Sequence, residues 1–249
     1  MRSIQFIAAC AALLLAAAAP AAAQSKSQPA KPYKPVMVAL PQPMTDEGFD
    51  AMRKQLGEAA QRKDRTAMAR LVVAQGFFWL RDNRNVADKR KSGFDILAAA
   101  LALNNKESAG WEILSGYAED PVASPLPNYK GAMCAPAEPA YDRKALADLI
   151  KATNSDVTEW GYPLSAGLAV RAMPQNSAPV VDTLGLHFVH IMPETTSDPP
   201  SYMRIATPAG KTGYVLIDSI APIGNDQICY VKEGGAWKIG GYIGGGEPQ

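Results

Sequence analysis

From Thr45 to Ala118 the apolar residues recur with the period of about 3.6 that marks amphipathic helices, and beyond about Asn154 the period shortens to about 2. Phe49, Met52, Leu56 and Ala59 stand at i, i+3, i+7 and i+10, one face of a first helix. Asp64 is placed to cap a second, with Met68, Leu71 and Val72 as its stripe and Gly76 as its stop. Ser92 and Asp95 form an S-x-x-D capping pattern, which starts a third helix through Phe94, Ile96, Leu97, Leu101 and Leu103. Ser108 caps a fourth, carrying Trp111, Leu114 and Tyr117. Asp142 caps a last one over Arg143–Thr153, with Leu146, Leu149 and Ile150 on one face. Helices this short need tertiary burial, and the cluster Phe77-Phe78-Trp79 is the natural core for them. Charged residues make Arg81–Lys91 a solvated loop, and Pro121, Pro125, Pro127, Pro136 and Pro139 make a long connection before the last helix.

In the second half, Leu168–Met173, Val180–Leu184, Leu186–Met192, Tyr202–Thr207 and Gly213–Ile217 alternate as short strands, with a tight turn at Ala209-Gly210. Strands of this spacing predict a small barrel. Ile228–Val231 and Trp237–Ile239 flank Gly234-Gly235, the pattern of a further β-hairpin. The predicted class is therefore α+β, a helical N-terminal region followed by a small β-barrel with an extra C-terminal hairpin.

The N-terminus changes the picture of where the chain works. Arg2 precedes an apolar run from Ile4 to Ala18, and Ala21-Ala22-Ala23 supplies an A-x-A cleavage pattern. This is a secretory signal over residues 1–23, with Gln24 as the expected mature N-terminus and a periplasmic or secreted bacterial location. The apolar run is shorter than the roughly 20 residues that span a bilayer, so no stable membrane insertion is expected after cleavage. Residues 24–43 hold Pro29, Pro32, Pro35, Pro41 and Pro43 with Lys26, Lys31 and Lys34, and read as a flexible proline-rich tether. The expected organisation is signal 1–23, tether 24–43, helical region 44–155, and barrel with hairpin 156–249.

The strand region also carries a resemblance. VRAMPQNSAPVVDTLG (Val170–Gly185) is similar to the opening of bacterial SH3-like domains, through Arg171, Pro174, Ser177, Val180, Val181, Leu184 and Gly185. MRIATPAGKTGYV (Met203–Val215) is similar to that family's closing hairpin, above all at Gly213-Tyr214-Val215. The chain departs from the pattern at Tyr202, where a tryptophan is common, and in the longer insertion Pro193–Ser201. The resemblance covers about residues 160–222. The whole chain resembles exported bacterial proteins that join a helical region to an SH3-like one, a family of unknown function. The resemblance implies an SH3-like barrel and a cell-envelope ligand, peptidoglycan or an envelope protein, and implies no reaction.

Composition narrows the chemistry further. Lys and Arg number 25 and Asp and Glu 24; without residues 1–23 the two signs balance. A neutral chain lacks the basic face that nucleic acid requires. The cysteines left after signal removal are Cys134 and Cys229, an even pair in an oxidising compartment, which predicts a disulfide. Cys134 stands in Ala-Met-Cys-Ala-Pro, without the Asp-Cys-Ser-Gly signature of cell-wall cysteine peptidases. His187 and His190, three apart on a strand, fall on opposite faces and cannot share a metal. The glycines 240–241 and 244–246 precede no Lys-Ser/Thr pair and make no phosphate loop. No catalytic residue, metal ligand or cofactor is assigned. Tyr162 and Tyr202 are the candidate ligand-binding residues, as aromatics with a polar handle in the barrel region. The reading is a non-catalytic binding protein. A cell-wall hydrolase with its site between the two halves, and a structural envelope factor, are the alternatives.

Overall fold

A computed structural model describes residues 30–82, 84–193 and 201–245. The signal segment and residues 24–29 lie outside the described residues. The fold is mixed α/β, with five helices and several sheets among the described residues.

The helices are α1 (Glu47–Gln61), α2 (Arg65–Leu71), α3 (Gly93–Ala100), α4 (Gly110–Glu119) and α5 (Arg143–Thr153). The amide of Phe49 donates to Asp46 Oδ1 at 3.0 Å, that of Ala67 to Asp64 Oδ1 at 3.0 Å and that of Ala145 to Asp142 Oδ1 at 3.0 Å. Each bond satisfies one of the donors a helix start leaves unpaired. Ser92 Oγ accepts from the Asp95 amide at 3.1 Å and donates to its carboxylate at 2.6 Å. The stripe Phe49, Met52, Leu56 and Ala59 is buried along its length.

A six-stranded sheet runs in the order 84–85, 78–81, 236–243, 227–233, 133–135, 124–125. Its middle is the C-terminal hairpin, turned by Gly234 and Gly235 at φ 60° and 86°. Two positive φ angles in a two-residue turn match the twist of the strands and need glycine. Phe78–Arg81 adds to this hairpin in parallel, Phe78 opposite Gly241. A Cβ on Gly241 would stand 2.3 Å from the Phe78 ring, so this glycine serves close packing. Helices α1 to α4 pack on the face presenting Ile228, Tyr230, Ile239 and Tyr242, with Phe77, Leu97, Trp111 and Leu114 in the same core. The opposite face holds Phe78, Cys134 and Cys229. Cys134 and Cys229 are directly opposed across adjacent strands, their sulfurs at the bonding distance of 2.00 Å.

A seven-stranded antiparallel sheet runs in the order 220–222, 160–163, 189–191, 202–206, 212–216, 168–171, 180–184. The strand region thus forms, but among the described residues no sheet closes into the expected barrel. The sheet curls enough to bring Leu184 and Ile220, from its two end strands, into one core with Val170, Val189, Ile205 and Val215. The edge strand 180–184 is met by side chains instead of a further strand: Lys211 Nζ donates to the Val181 carbonyl at 3.1 Å, and Thr207 Oγ1 to Asp182 Oδ2 at 2.8 Å.

The two units exchange chain segments relative to the expected boundaries. The hairpin 227–243, grouped by sequence with the strand region, is the centre of the helical unit's sheet. Helix α5 and residues 33–40 belong to a third core over the seven-stranded sheet, with Val36, Val38, Leu146, Leu149, Trp160, Tyr162 and Phe188 buried together. The described part of the proline-rich segment is therefore packed rather than free, because Tyr33, Val36 and Val38 supply apolar anchors between its prolines.

Candidate functional site

A recess of about 950 Å³ lies between this N-terminal strap and α5. The strap is held edge-on by backbone bonds: the Tyr33 amide donates to the Pro208 carbonyl, the Phe188 amide to Val36 and the Val38 amide to Leu186, each at 3.0 Å. Pro32 and Pro35 keep it extended. Tyr33 reaches inward, its ring edge-on to Trp160 at 5.2 Å and its hydroxyl donating to the Ala206 carbonyl at 2.9 Å. Burial pushes the Tyr33 phenol above its ordinary value, so it stays a donor. On the other side, α5 turns Leu146 and Leu149 into the core. It leaves Ala145, Asp148 and Ala152 along the recess. The space between encloses about 950 Å³ and is floored by Trp160, His190, Met192 and Ala206.

The walls are mainly apolar, and the charges around them are unevenly satisfied. Asp148 accepts from Lys144 Nζ at 2.6 Å. Glu159 Oε2 lies 2.9 Å from His190 Nε2, whose ring tilts over Trp160 at 5.1 Å. Trp160 Nε1 donates to Ser155 Oγ at 2.8 Å. Lys31 and Lys34 are exposed on the strap and make no ion pair among the described residues. The recess therefore offers shape, apolar contact and two lysines at its rim, and among its described lining residues no nucleophile is aligned with a base.

A second, smaller cleft of about 400 Å³ lies where α4 meets the loop leading into the hairpin, lined by Tyr117, Asp120, Pro136, Asn225, Asp226 and Tyr242. Burial raises the Asp120 carboxyl, against the lowering effect of the Val122 amide, which donates to it at 2.8 Å. Tyr242 donates its hydroxyl to Asp226. Burial first, and then this bond, push the Tyr242 phenol far up. Tyr117 is raised mainly by burial as well. Two carboxylates thus share one cleft with two protonated phenols.

The tyrosines chosen from sequence lie in neither recess. Tyr162 is buried in the core beside Phe188, its ring edge-on at 6.1 Å, and burial raises its phenol to about 12. Tyr202 is half-buried on the strand 202–206 and donates to Asn176 Oδ1 at 2.9 Å. The structure does not bring them together: Tyr162 belongs to the strand 160–163 and Tyr202 to 202–206, with 189–191 between them. His190, given no ligand role from sequence, lines the main recess, whereas His187 lies outside it. Among the described residues no group of three or more His, Cys, Asp or Glu is gathered to hold a metal, and no helix is long and apolar enough to cross a membrane.

Comparison with known proteins brings no relative to set beside this geometry: no family model matches the chain, and no curated protein and no solved structure matches it.

Proposed function

We propose that the protein is a non-catalytic binding protein of the bacterial envelope, exported by residues 1–23 and acting through an SH3-like unit built on the seven-stranded sheet. The observation that carries the reading is the recess between the strap and α5, which is large, mainly apolar and lined by no nucleophile–base pair. Support for the SH3-like assignment comes from the order of the hairpins: 189–191, 202–206 and 212–216 pair in succession, and 168–171 pairs with 180–184. Gly213-Tyr214-Val215, the step that resembles the family most, sits in the strand shared by both groups. The ligand class implied by that resemblance is peptidoglycan or an envelope protein.

A hydrolase is the second reading, and the cleft with Asp120 and Asp226 is what favours it. Paired carboxylates in different environments are the arrangement that general acid–base cleavage of glycosides uses. One experiment separates the two. Mature protein is incubated with purified cell walls, the walls are sedimented, and soluble wall fragments are measured in the supernatant. Retention in the pellet without release of fragments is the expected result. Release that Asp120→Asn abolishes would establish the hydrolase, and neither retention nor release would remove the wall as partner.

A further inference from the structure

We infer that the recess between the strap and α5 is a site for a long-chain carboxylic acid, with the acyl chain between the strap and the helix and the carboxylate at Lys31 and Lys34. The inference rests on reading this unit as a binding module, but not on the cell wall being its partner.

The position and size of the recess suit a single apolar chain: it lies between the extended strap and one face of α5, and its volume of about 950 Å³ is that of a small-molecule site. On α5 the wall is built from Ala145, Leu149 and Ala152, spaced at helical intervals, and small side chains at both ends leave the space open. Val36, Met192 and Trp160 supply the facing apolar surface.

The chemistry of the walls selects among ligands. A glycan or an extended peptide brings many hydroxyl or amide groups, and each one buried without a partner loses the hydrogen bonds it made to water. The inner walls offer few partners, because Tyr33 already donates its hydroxyl to Ala206 and Trp160 its indole N–H to Ser155. An alkyl chain asks for none. Charge then sets the head group. Each carboxylate at the recess is already engaged, Asp148 by Lys144 and Glu159 by His190. Lys31 and Lys34, both lining the recess and exposed, have no ion pair among the described residues. An anionic end group completes this rim, and a cationic one is repelled by it.

The test uses full-length mature protein and cis-parinaric acid, a fluorescent long-chain carboxylic acid, with palmitate, hexadecanol and hexadecyltrimethylammonium as competitors. Wild-type protein should enhance the probe's fluorescence, and palmitate should displace it about tenfold more effectively than hexadecanol, the discrimination that about 1.4 kcal/mol of charge contact provides. Lys31→Glu/Lys34→Glu should remove the preference for palmitate over hexadecanol. Ala152→Phe, which fills the recess from α5, should abolish probe binding; unchanged thermal unfolding of both variants shows that the fold is kept. A wild-type protein that fails to bind the probe overturns the inference. So does equal displacement by the alcohol or the ammonium compound, or binding that survives Ala152→Phe. Probe binding without wall sedimentation would retain this site while removing the wall as partner. Wall sedimentation unaffected by Ala152→Phe, with no probe binding, would do the reverse.

Discussion

Replacing both Cys134 and Cys229 by alanine should lower stability by about 4.7 kcal/mol through the unfolded chain alone. The bridge joins residues 95 apart, one on the strand 133–135 and one in the C-terminal hairpin. Everything between them, including α5 and the whole seven-stranded sheet, is a loop closed by this bond. Loop-closure entropy for 95 residues gives the figure above, in a model that assigns the effect to the denatured state. Both residues are buried, at 2% and 0% exposure, so truncation to alanine also leaves a small void worth about 1 kcal/mol. The native pairing around the site does not depend on the bond, since Ile228, Cys229 and Tyr230 pair with Ala135, Cys134 and Met133 through the backbone. Urea unfolding of the oxidised protein and of Cys134→Ala/Cys229→Ala, followed by tryptophan fluorescence, measures the difference. With a urea slope of about 2–3 kcal/mol per molar, the midpoint should fall by roughly 2 M. Coincident unfolding curves, or a thiol reagent that labels both cysteines of the folded oxidised protein, would refute the reasoning.

Gly213→Val should destabilise by at least about 1–3 kcal/mol, because a Cβ there would lie 2.6 Å from the Arg171 carbonyl oxygen and 2.6 Å from Val170 Cγ1. Gly116→Ala, on α4 with open space around its Cβ position, should instead stabilise by about 0.5–1 kcal/mol, and thermal unfolding compares the two. Asp64→Ala removes the bond to the Ala67 amide and should cost about 1 kcal/mol by the same measurement. Asp46 is held at about 2, below its ordinary 3.8, first by the Lys232 ammonium and then by the Phe49 amide. Its folded value is the lower one, so its contribution is complete above 3.8 and is lost as pH falls toward 2. The stability gap between wild type and Asp46→Asn should therefore shrink over that window, and an unchanged gap would show that the carboxylate does not carry the effect.

The stripe of α1 and the caps Asp64, Ser92 and Asp142 are legible because both signals are local, whereas α4 follows Ala109 with no side-chain cap instead of starting from Ser108. Phe49, Met52, Leu56 and Ala59 share a face by spacing alone, and Asp64 and Asp142 sit one residue before the helices they cap. The turn at Gly234-Gly235 and the strand 180–184 were readable for the same reason. What local pattern does not contain is the identity of distant partners. Phe78–Arg81 pairs with the neighbouring 84–85, but its place in the sheet comes from parallel pairing with Ala236–Ile243, far along the chain. The hairpin's turn residues announce a hairpin, but which sheet it completes is decided by Phe78 on Gly241 and Cys134 opposite Cys229. Proline content predicts a flexible tether, and only the docked positions of Tyr33, Val36 and Val38 show that its described part is packed. The main recess is assembled from the strap, α5 and the strands 160–163, 189–191 and 202–206, so no contiguous motif signals it. Tyr162 and Tyr202 were singled out by residue type, and the pleat turns Tyr162 into the core. His190 joined the site because Trp160 and Glu159 fix its ring from a neighbouring segment.

In the proposed function, binding without catalysis takes place in the recess between the strap and α5. Amide chemical shifts of the isotope-labelled mature protein, recorded while soluble envelope extract is titrated in, test it most directly. The account predicts shifts concentrated at residues 31–36, 145–154 and 190–192, with the extract chemically unchanged afterwards. Shifts centred on Tyr117, Asp120, Asp226 and Tyr242, accompanied by cleavage of a component of the extract, would contradict it.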